Sequence, residues 1–300
     1  MISLTNLLPI FTVCFFANFS NGLSILFPAA KSLSSSQRYS ANGNELVTNR
    51  INRSSLPPTK DIVGIIFDMD GTLIKPVINF AEMRKRIFEI ADRDPELSCQ
   101  PEEKRRGDVL LLYQMLSAQS QREADSVFKD IEARAIADMM LMDGIGELCQ
   151  FMDSRGMQRA VLTRNVQLSI DVMHKKLWDQ YSVKEFYPSV HRLSVDGDGN
   201  ILPSKPNPDA IHYICQVWSC KPSQILMVGD SCADDIVAAS RAECGGSVLL
   251  KYMGKDVDND AGGGIAKTDE EWQEREPTLS VTCLNELRKI LERNDDSITI

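Results

Sequence analysis

Runs of consecutive apolar residues recur along the chain and alternate with stretches of helical spacing. The apolar runs lie at residues 62–67, 159–163, 225–228 and 247–250. Such runs are typical of strands that are buried on both faces of a parallel sheet. Helical patterns lie at residues 145–154, 208–218 and 284–291. Strands that alternate with helices in this way predict an α/β fold with a doubly wound, Rossmann-like parallel sheet.

Residues 79–140 have a different pattern, with apolar residues at helical spacing and hardly any strand signal. Three helices are predicted there, at residues 80–90, 109–116 and 127–140. Ser120 and Glu123 form a capping-box pattern that we expect to start the third helix. Because the alternation of strands and helices resumes afterwards, we expect two domains. These are an α/β core of residues 61–78 and 141–300, and a small α-helical cap of residues 79–140.

The first 60 residues differ from both domains. An apolar stretch at residues 7–17 precedes a segment rich in Ser, Asn and Arg, and residues 1–60 carry five Lys/Arg but one acidic residue. The stretch is shorter than the roughly 20 residues of a spanning helix. We therefore expect a targeting presequence and a disordered linker, with no membrane contact after removal. The composition resembles bipartite plastid presequences of algae and predicts a plastid location, with the secretory pathway or the mitochondrion as alternatives.

Charge and cysteine usage exclude several classes of function. The net charge is −9 although the first 60 residues are basic, so the remainder is clearly acidic and would repel a phosphate backbone. We therefore expect no nucleic-acid partner. The eight cysteines are scattered without a CxxC pair, which indicates neither a zinc site nor a disulfide scaffold. We expect a monomer or a homodimer.

Two carboxylates follow the first predicted strand, at Asp68 and Asp70. In open α/β sheets ligands bind at the carboxyl ends of the strands, so both side chains can face one small site. Carboxylates this close repel each other unless a cation or hydrogen-bond donors lie nearby. Gly71 would let backbone amides approach a bound phosphate. An Asp-Gly turn is also common without any function, so this pair alone leaves both interpretations open.

Three further segments place polar groups near the ends of predicted strands. Thr163 and Arg164 follow the second strand, where a hydroxyl and backbone amides can hold phosphate oxygens. Lys205 lies in a proline-rich segment that would fix its ammonium as a point charge. An acidic loop begins at Asp230 and offers the oxygen ligands that Mg²⁺ prefers. Together these segments predict a site for a phosphate and a divalent cation.

The segments FDMDGTL, LTRN, KPNPD and VGDSCADD resemble, in order, the four signature motifs of the haloacid dehalogenase-like superfamily. The resemblance covers residues 62 to about 250, and the helical insert is similar to that of phosphoglycolate phosphatase-like members. Within the superfamily the chain looks closest to plant and algal hydrolases with a short helical cap. This resemblance implies a Mg²⁺-dependent phosphatase that hydrolyses a small-molecule phosphate monoester through an aspartyl-phosphate intermediate.

The resemblance also implies a role for each motif residue. Asp68 would be the nucleophile and Asp70 the general acid/base. The phosphate would be bound by Gly71, Thr163, Arg164 and Lys205. The Mg²⁺ site would comprise Asp68, the backbone carbonyl of Asp70, Asp230 and, in the second shell, Asp234. Asp235 is available as well, and Asp234 is preferred only because family members commonly place the second acid four residues after the first.

Two alternative functions remain open. A phosphomutase of the β-phosphoglucomutase type shares both aspartates and the cap type, but returns the phosphoryl group to a sugar instead of to water. A non-catalytic module that binds a phosphorylated metabolite could keep the fold without turnover. The intact motifs favour the enzyme, because binding alone would not need Asp70.

Overall fold

The computed structural model describes residues 55–252, 268 and 273–296. The predicted presequence and most of the predicted linker, up to residue 54, lie outside the described residues. Among the helices that the structure describes, none combines the length and the apolar character needed to cross a membrane.

A six-stranded parallel sheet forms the centre of the core. Its strands are β1 (Gly64–Phe67), β2 (Gln158–Leu162), β3 (Ser189–Val190), β4 (Ile225–Gly229), β5 (Gly246–Leu250) and β6 (Leu279–Val281). The strand order is β3-β2-β1-β4-β5-β6, and every neighbouring pair is parallel. The predicted doubly wound α/β fold is therefore confirmed. The sequence pattern misses β3 and β6, which have only two and three residues.

The predicted cap region folds as three helices with a core of their own. The helices are α1 (Phe80–Arg93), α2 (Val109–Met115) and α3 (Ala118–Ala137). Ile87 on α1 and Ile131 on α3 are among the buried residues of this second core. The predicted start of the third helix is wrong: α3 begins at Ala118, and the hydroxyl of Ser117 caps it by accepting from the backbone N–H of Ser120. Ser120 itself lies buried in the first turn.

Five helices within the described part of the chain cover the two faces of the sheet. They are α4 (Ile145–Ser154), α5 (Gln167–Tyr181), α6 (Asp209–Trp218), α7 (Val237–Arg241) and α8 (Leu284–Asp296). Successive side chains of a strand point to opposite faces. Ile65 accordingly packs with residues of α4, α5 and α8, whereas Ile66 packs with residues of α6 and α7. Burial on both faces explains why the central strands have continuous apolar sequences.

The folded core begins earlier than the predicted limit at residue 61. Leu56 is buried within the larger cluster of the sheet, and the hydroxyl of Thr59 donates to the carbonyl of Leu291 at 2.6 Å. Pro57 and Pro58 give this segment the composition of a linker. Their neighbours nevertheless contact the core, so the last residues of the predicted linker belong to the α/β domain.

Candidate active site

The loops that follow β1, β2 and β4 meet beneath the cap. Phe67 at the end of β1 is in register with Val161 of β2 and with Val228 of β4, so the next residues of all three chain segments lie side by side. They border a cavity of about 250 Å³, which residues of the cap line from the other side. Asp68, Asp230 and, from the loop that follows β3, Lys205 line this cavity. The topology therefore brings together segments that are far apart in the sequence.

Lys205 connects two carboxylates at the base of the cavity. Its Nζ donates to Oδ1 of Asp68 at 2.5 Å and to Oδ1 of Asp235 at 2.7 Å. All three residues are buried. A buried ion pair of this kind needs good geometry to offset the loss of hydration, and charge-assisted hydrogen bonds supply it. The contact orients the Asp68 carboxylate and places positive charge beside it.

Three carboxylates lie close enough to share a cation. One oxygen from each of Asp68, Asp230 and Asp235 lies within 4.8 Å of the other two. The preference for Asp234 is corrected here, because Asp234 instead pairs with Arg164 at 3.1 Å. The physical reason is the π-helical turn at Cys232–Ile236. A π-helical turn contains more residues than an α-helical turn, so the side chain that lies next to Asp230 is one position later in the sequence. The preference for the acid four residues after Asp230 did not allow for this π-helical turn.

Gly229 makes room for Asp235 at the end of β4. A Cβ atom on Gly229 would lie 2.1 Å from Oδ2 of Asp235, far inside van der Waals contact. The same Oδ2 accepts from the backbone N–H of Ser231 at 3.0 Å. Only glycine at residue 229 leaves the Asp235 carboxylate in this position.

Burial dominates the ionisation of the cluster. It raises the pKa of Asp68 to about 6 and that of Asp235 to about 7, although Lys205 opposes both shifts. Burial alone would lower the pKa of Lys205, but the carboxylates of Asp235 and Asp68 outweigh it and raise that pKa. One ammonium thus incompletely compensates several buried carboxylates. An oxygen-ligated divalent cation fits this cluster in both charge and donor type.

Asn165 holds the Asp70 carboxylate. Its side-chain amide donates to the two Asp70 oxygens at 3.1 and 3.4 Å, and burial raises the pKa of Asp70 to about 6 despite this hydrogen bond. The side-chain oxygen Oδ1 of Asn165 accepts from the Ser169 hydroxyl at 2.9 Å and from the backbone N–H of Val166 at 2.8 Å. These contacts fix which way the amide points. Asn165 lies within the LTRN segment, and no role was predicted for its side chain.

The remaining predicted phosphate-binding residues occupy different places. Thr163 lines the cavity, and its hydroxyl accepts from the backbone N–H of Asn165 at 3.0 Å. Arg164 also lines the cavity, but its guanidinium binds Asp108 of the cap as well as Asp234, so it connects cap and core. Gly71 is not among the lining residues, and its N–H donates to the carbonyl of Ile74 at 2.9 Å.

The role expected of Gly71 at the phosphate stays a prediction. Its φ of 86° is readily adopted by glycine and suits the turn after β1. A second cap–core contact was also missed: Arg192 donates to Glu132 of α3 at 2.5 Å. These two residues lie 60 positions apart in different domains and have no sequence signal.

Comparison with known proteins agrees with the geometry. A family model described as haloacid dehalogenase-like hydrolase matches residues 62–243. A haloacid dehalogenase-like hydrolase domain-containing protein from Arabidopsis thaliana is 32% identical over 233 residues, which cover 78% of this chain and 85% of the plant protein. A phosphoglycolate phosphatase from Pseudomonas putida is 25% identical over 206 residues, covering 65% of this chain and 72% of that protein.

Solved structures show the same fold. The crystal structure of a predicted phosphoglycolate phosphatase from Haemophilus somnus aligns with a TM-score of 0.50 at 20% identity, and covers 77% of this chain and 98% of that one. The resemblance that the four motifs predicted, including that to a plant hydrolase, is confirmed. The matched family model spans more than half of the chain and includes Asp68, Lys205 and Asp230. The chain belongs to the haloacid dehalogenase-like hydrolase family.

Proposed function

We propose that this protein is a Mg²⁺-dependent phosphatase that hydrolyses a small-molecule phosphate monoester through an aspartyl-phosphate on Asp68. The observation that carries the proposal is the buried Asp68 carboxylate, which Lys205 contacts at 2.5 Å at the base of the cavity. A second carboxylate, Asp70, is held separately by Asn165 in the same cavity. One aspartate is thus placed to attack and the other to transfer a proton.

The first half-reaction forms the phosphoenzyme. Lys205 donates to Oδ1 of Asp68, which leaves Oδ2 to attack phosphorus. As the bond from Oδ2 to phosphorus forms, the bond from phosphorus to the ester oxygen breaks, and protonated Asp70 gives its proton to the leaving oxygen. The raised pKa of Asp70, about 6, increases the fraction of this protonated form relative to an ordinary aspartate. The Lys205 charge lowers the repulsion between carboxylate and phosphate.

The second half-reaction reverses the proton transfer. Asp70 is now a carboxylate and takes a proton from water as the water oxygen bonds to phosphorus. The bond between phosphorus and Asp68 breaks, and inorganic phosphate leaves. Splitting one transfer into two steps is the general advantage of covalent catalysis. Detection of inorganic phosphate without an isomerised sugar phosphate distinguishes this reaction from that of a mutase.

The residues present fit a bound Mg²⁺. Asp68, Asp230 and Asp235 would hold it, because their carboxylate oxygens already lie within 4.8 Å of one another. When bound, the cation supplies positive charge that offsets the buried carboxylates and the phosphate.

Removal of divalent cations should abolish activity. The expected result is loss of p-nitrophenyl phosphate hydrolysis in EDTA and recovery on addition of excess Mg²⁺, since the acidic cluster otherwise repels the phosphate. The measurement is phosphate release by the full chain before and after metal addition. Addition of Ca²⁺ is the control for simple charge screening. Full activity in metal-free buffer would contradict the proposal.

Asp235 and Asp234 form a matched pair that tests the corrected metal site. Asp235→Asn should weaken Mg²⁺ affinity by about 10- to 100-fold, whereas Asp234→Asn should leave that affinity close to wild type because Asp234 faces Arg164. The measurement is the Mg²⁺ concentration that gives half-maximal hydrolysis, together with calorimetric binding of Mg²⁺. A larger effect from Asp234→Asn would show that the geometry of the turn has been misinterpreted.

A further inference from the structure

The cap contributes a predominantly apolar wall to the cavity. Its apolar side chains are Phe80, Met83, Val109, Leu110 and Phe128, and Ile78 lines the cavity just ahead of the cap. A wall of this kind gains free energy by excluding water from apolar surface and offers little to a hydrated group. The leaving group of a phosphate ester that is bound at Asp68 would extend toward this wall.

Two of the cations that line the cavity are already paired with carboxylates. Arg192 donates to Glu132 at 2.5 Å and lies over the ring of Phe128 at 5.5 Å. Arg164 binds both Asp108 and Asp234. A substrate carboxylate would have to displace one of these partners, and breaking a largely buried ion pair is costly.

The net charge of the residues that line the cavity also disfavours a substrate with a carboxylate. Among the residues that the structure describes, seven carboxylates and five cationic side chains line the cavity. One divalent cation would make this set neutral before the phosphate dianion enters. Lys205, a third cation of the lining, is paired with Asp68 and Asp235. The other two are Arg84, which is half-buried, and Lys251, which is exposed to solvent that screens its charge. A second anionic group on the substrate would therefore find no excess of positive charge.

We propose that the preferred substrate is a phosphate monoester of an uncharged, apolar alcohol, a short alkyl or aryl alcohol, and not of a carboxylate-bearing one. This inference rests on the proposed phosphatase function and specifies its substrate class. The cavity volume of about 250 Å³ lies below that of most ligand pockets, which limits the alcohol to a small one. Specificity is set by the cap wall, while the chemistry is set by the loops of the sheet.

Non-hydrolysable phosphonates test the proposal without interference from leaving-group chemistry. We expect the inhibition constant of n-alkyl phosphonates against p-nitrophenyl phosphate hydrolysis to fall about fourfold per methylene, until the chain fills the cavity. Propylphosphonate should also bind more tightly than phosphonoacetate, which has a similar size but carries a carboxylate. Inhibition constants that do not change along the series, or tighter binding of phosphonoacetate, would overturn the proposal.

Two adjacent leucines of α2 provide matched variants. Leu110 lines the cavity, whereas Leu111 is 63% exposed and is not among the lining residues. Leu110→Asn should weaken hexylphosphonate binding about tenfold and leave methylphosphonate binding unchanged, while Leu111→Asn should change neither. Equal effects of both variants would overturn the assignment of this wall.

The same measurements distinguish a failure of the substrate class from a failure of the phosphatase function. If hydrolysis of p-nitrophenyl phosphate depends on Asp68 but short anionic phosphonates bind best, the phosphatase function holds and the substrate class is wrong. If the wild-type protein hydrolyses no phosphate ester in the presence of Mg²⁺, the proposed function itself fails. Calorimetric binding of hexylphosphonate would then still report whether the apolar wall takes an alkyl chain.

Discussion

Asp68→Asn protein should form no phosphoenzyme, and its turnover should fall by on the order of 10⁴-fold or more. Asparagine keeps an oxygen that can accept from Lys205, so the shape of the site is nearly preserved while the attacking carboxylate is lost. The variant also removes one of several buried negative charges, and we expect it to fold. The measurement is rapid-quench trapping of protein-bound phosphate from labelled p-nitrophenyl phosphate.

The control for Asp68→Asn is Asp61→Asn, which changes an exposed carboxylate ahead of the same strand. That protein should acquire label and turn over like the wild type. Thermal unfolding of both variants reports whether the fold is intact. Acid-stable, hydroxylamine-sensitive phosphate on the Asp68→Asn protein would exclude Asp68 as the nucleophile.

Asp70→Asn should lower turnover by about 10²- to 10⁴-fold, because the nucleophile remains but the proton donor is lost. The loss should be smallest for p-nitrophenyl phosphate, whose leaving group departs without protonation, and largest for an alkyl phosphate. The phosphoenzyme should also persist longer than in the wild type, since Asp70 is needed to activate water. The measurement is the ratio of kcat/KM for the two substrates, with the decay of trapped phosphate as a second readout.

An equal loss on both substrates would mean that Asp70 acts only by holding the site together. Asn165→Ala offers a comparison, because it removes the amide that orients Asp70 without removing the carboxylate. Its effect should have the same dependence on the leaving group but a smaller size. This pattern would identify Asn165 as a positioning residue.

The central strands and the main site residues were predictable because their signals are local. β1 and β4 are buried on both faces, so each appears as an unbroken apolar run that ends at an aspartate. Parallel pairing then places Asp68 and Asp230 at one edge of the sheet, next to each other. Lys205 was predicted from its proline-rich segment and from the resemblance to known motifs, and its contact with Asp68 spans 137 positions.

The parts that were not predictable depend on backbone geometry or on contacts between domains. Asp235 takes the position next to Asp230 that was predicted for Asp234 because of the π-helical turn, and no residue pattern in the loop predicts that turn. The ion pair of Arg192 with Glu132 requires the placement of the cap on the core. Strand β3 has two residues, too few to show any periodicity.

The cap enters the chain between two strands that pair directly, β1 and β2, and it has a hydrophobic core of its own. For the α/β domain, the cap is therefore one long loop. The entropic cost of closing a loop grows slowly, by about 0.6 kcal/mol for each doubling of its length. The cap can thus change in length at a small entropic cost to the sheet. Changes in the cap can therefore reshape the side of the cavity that faces away from the sheet while Asp68, Asp70 and Lys205 remain in place.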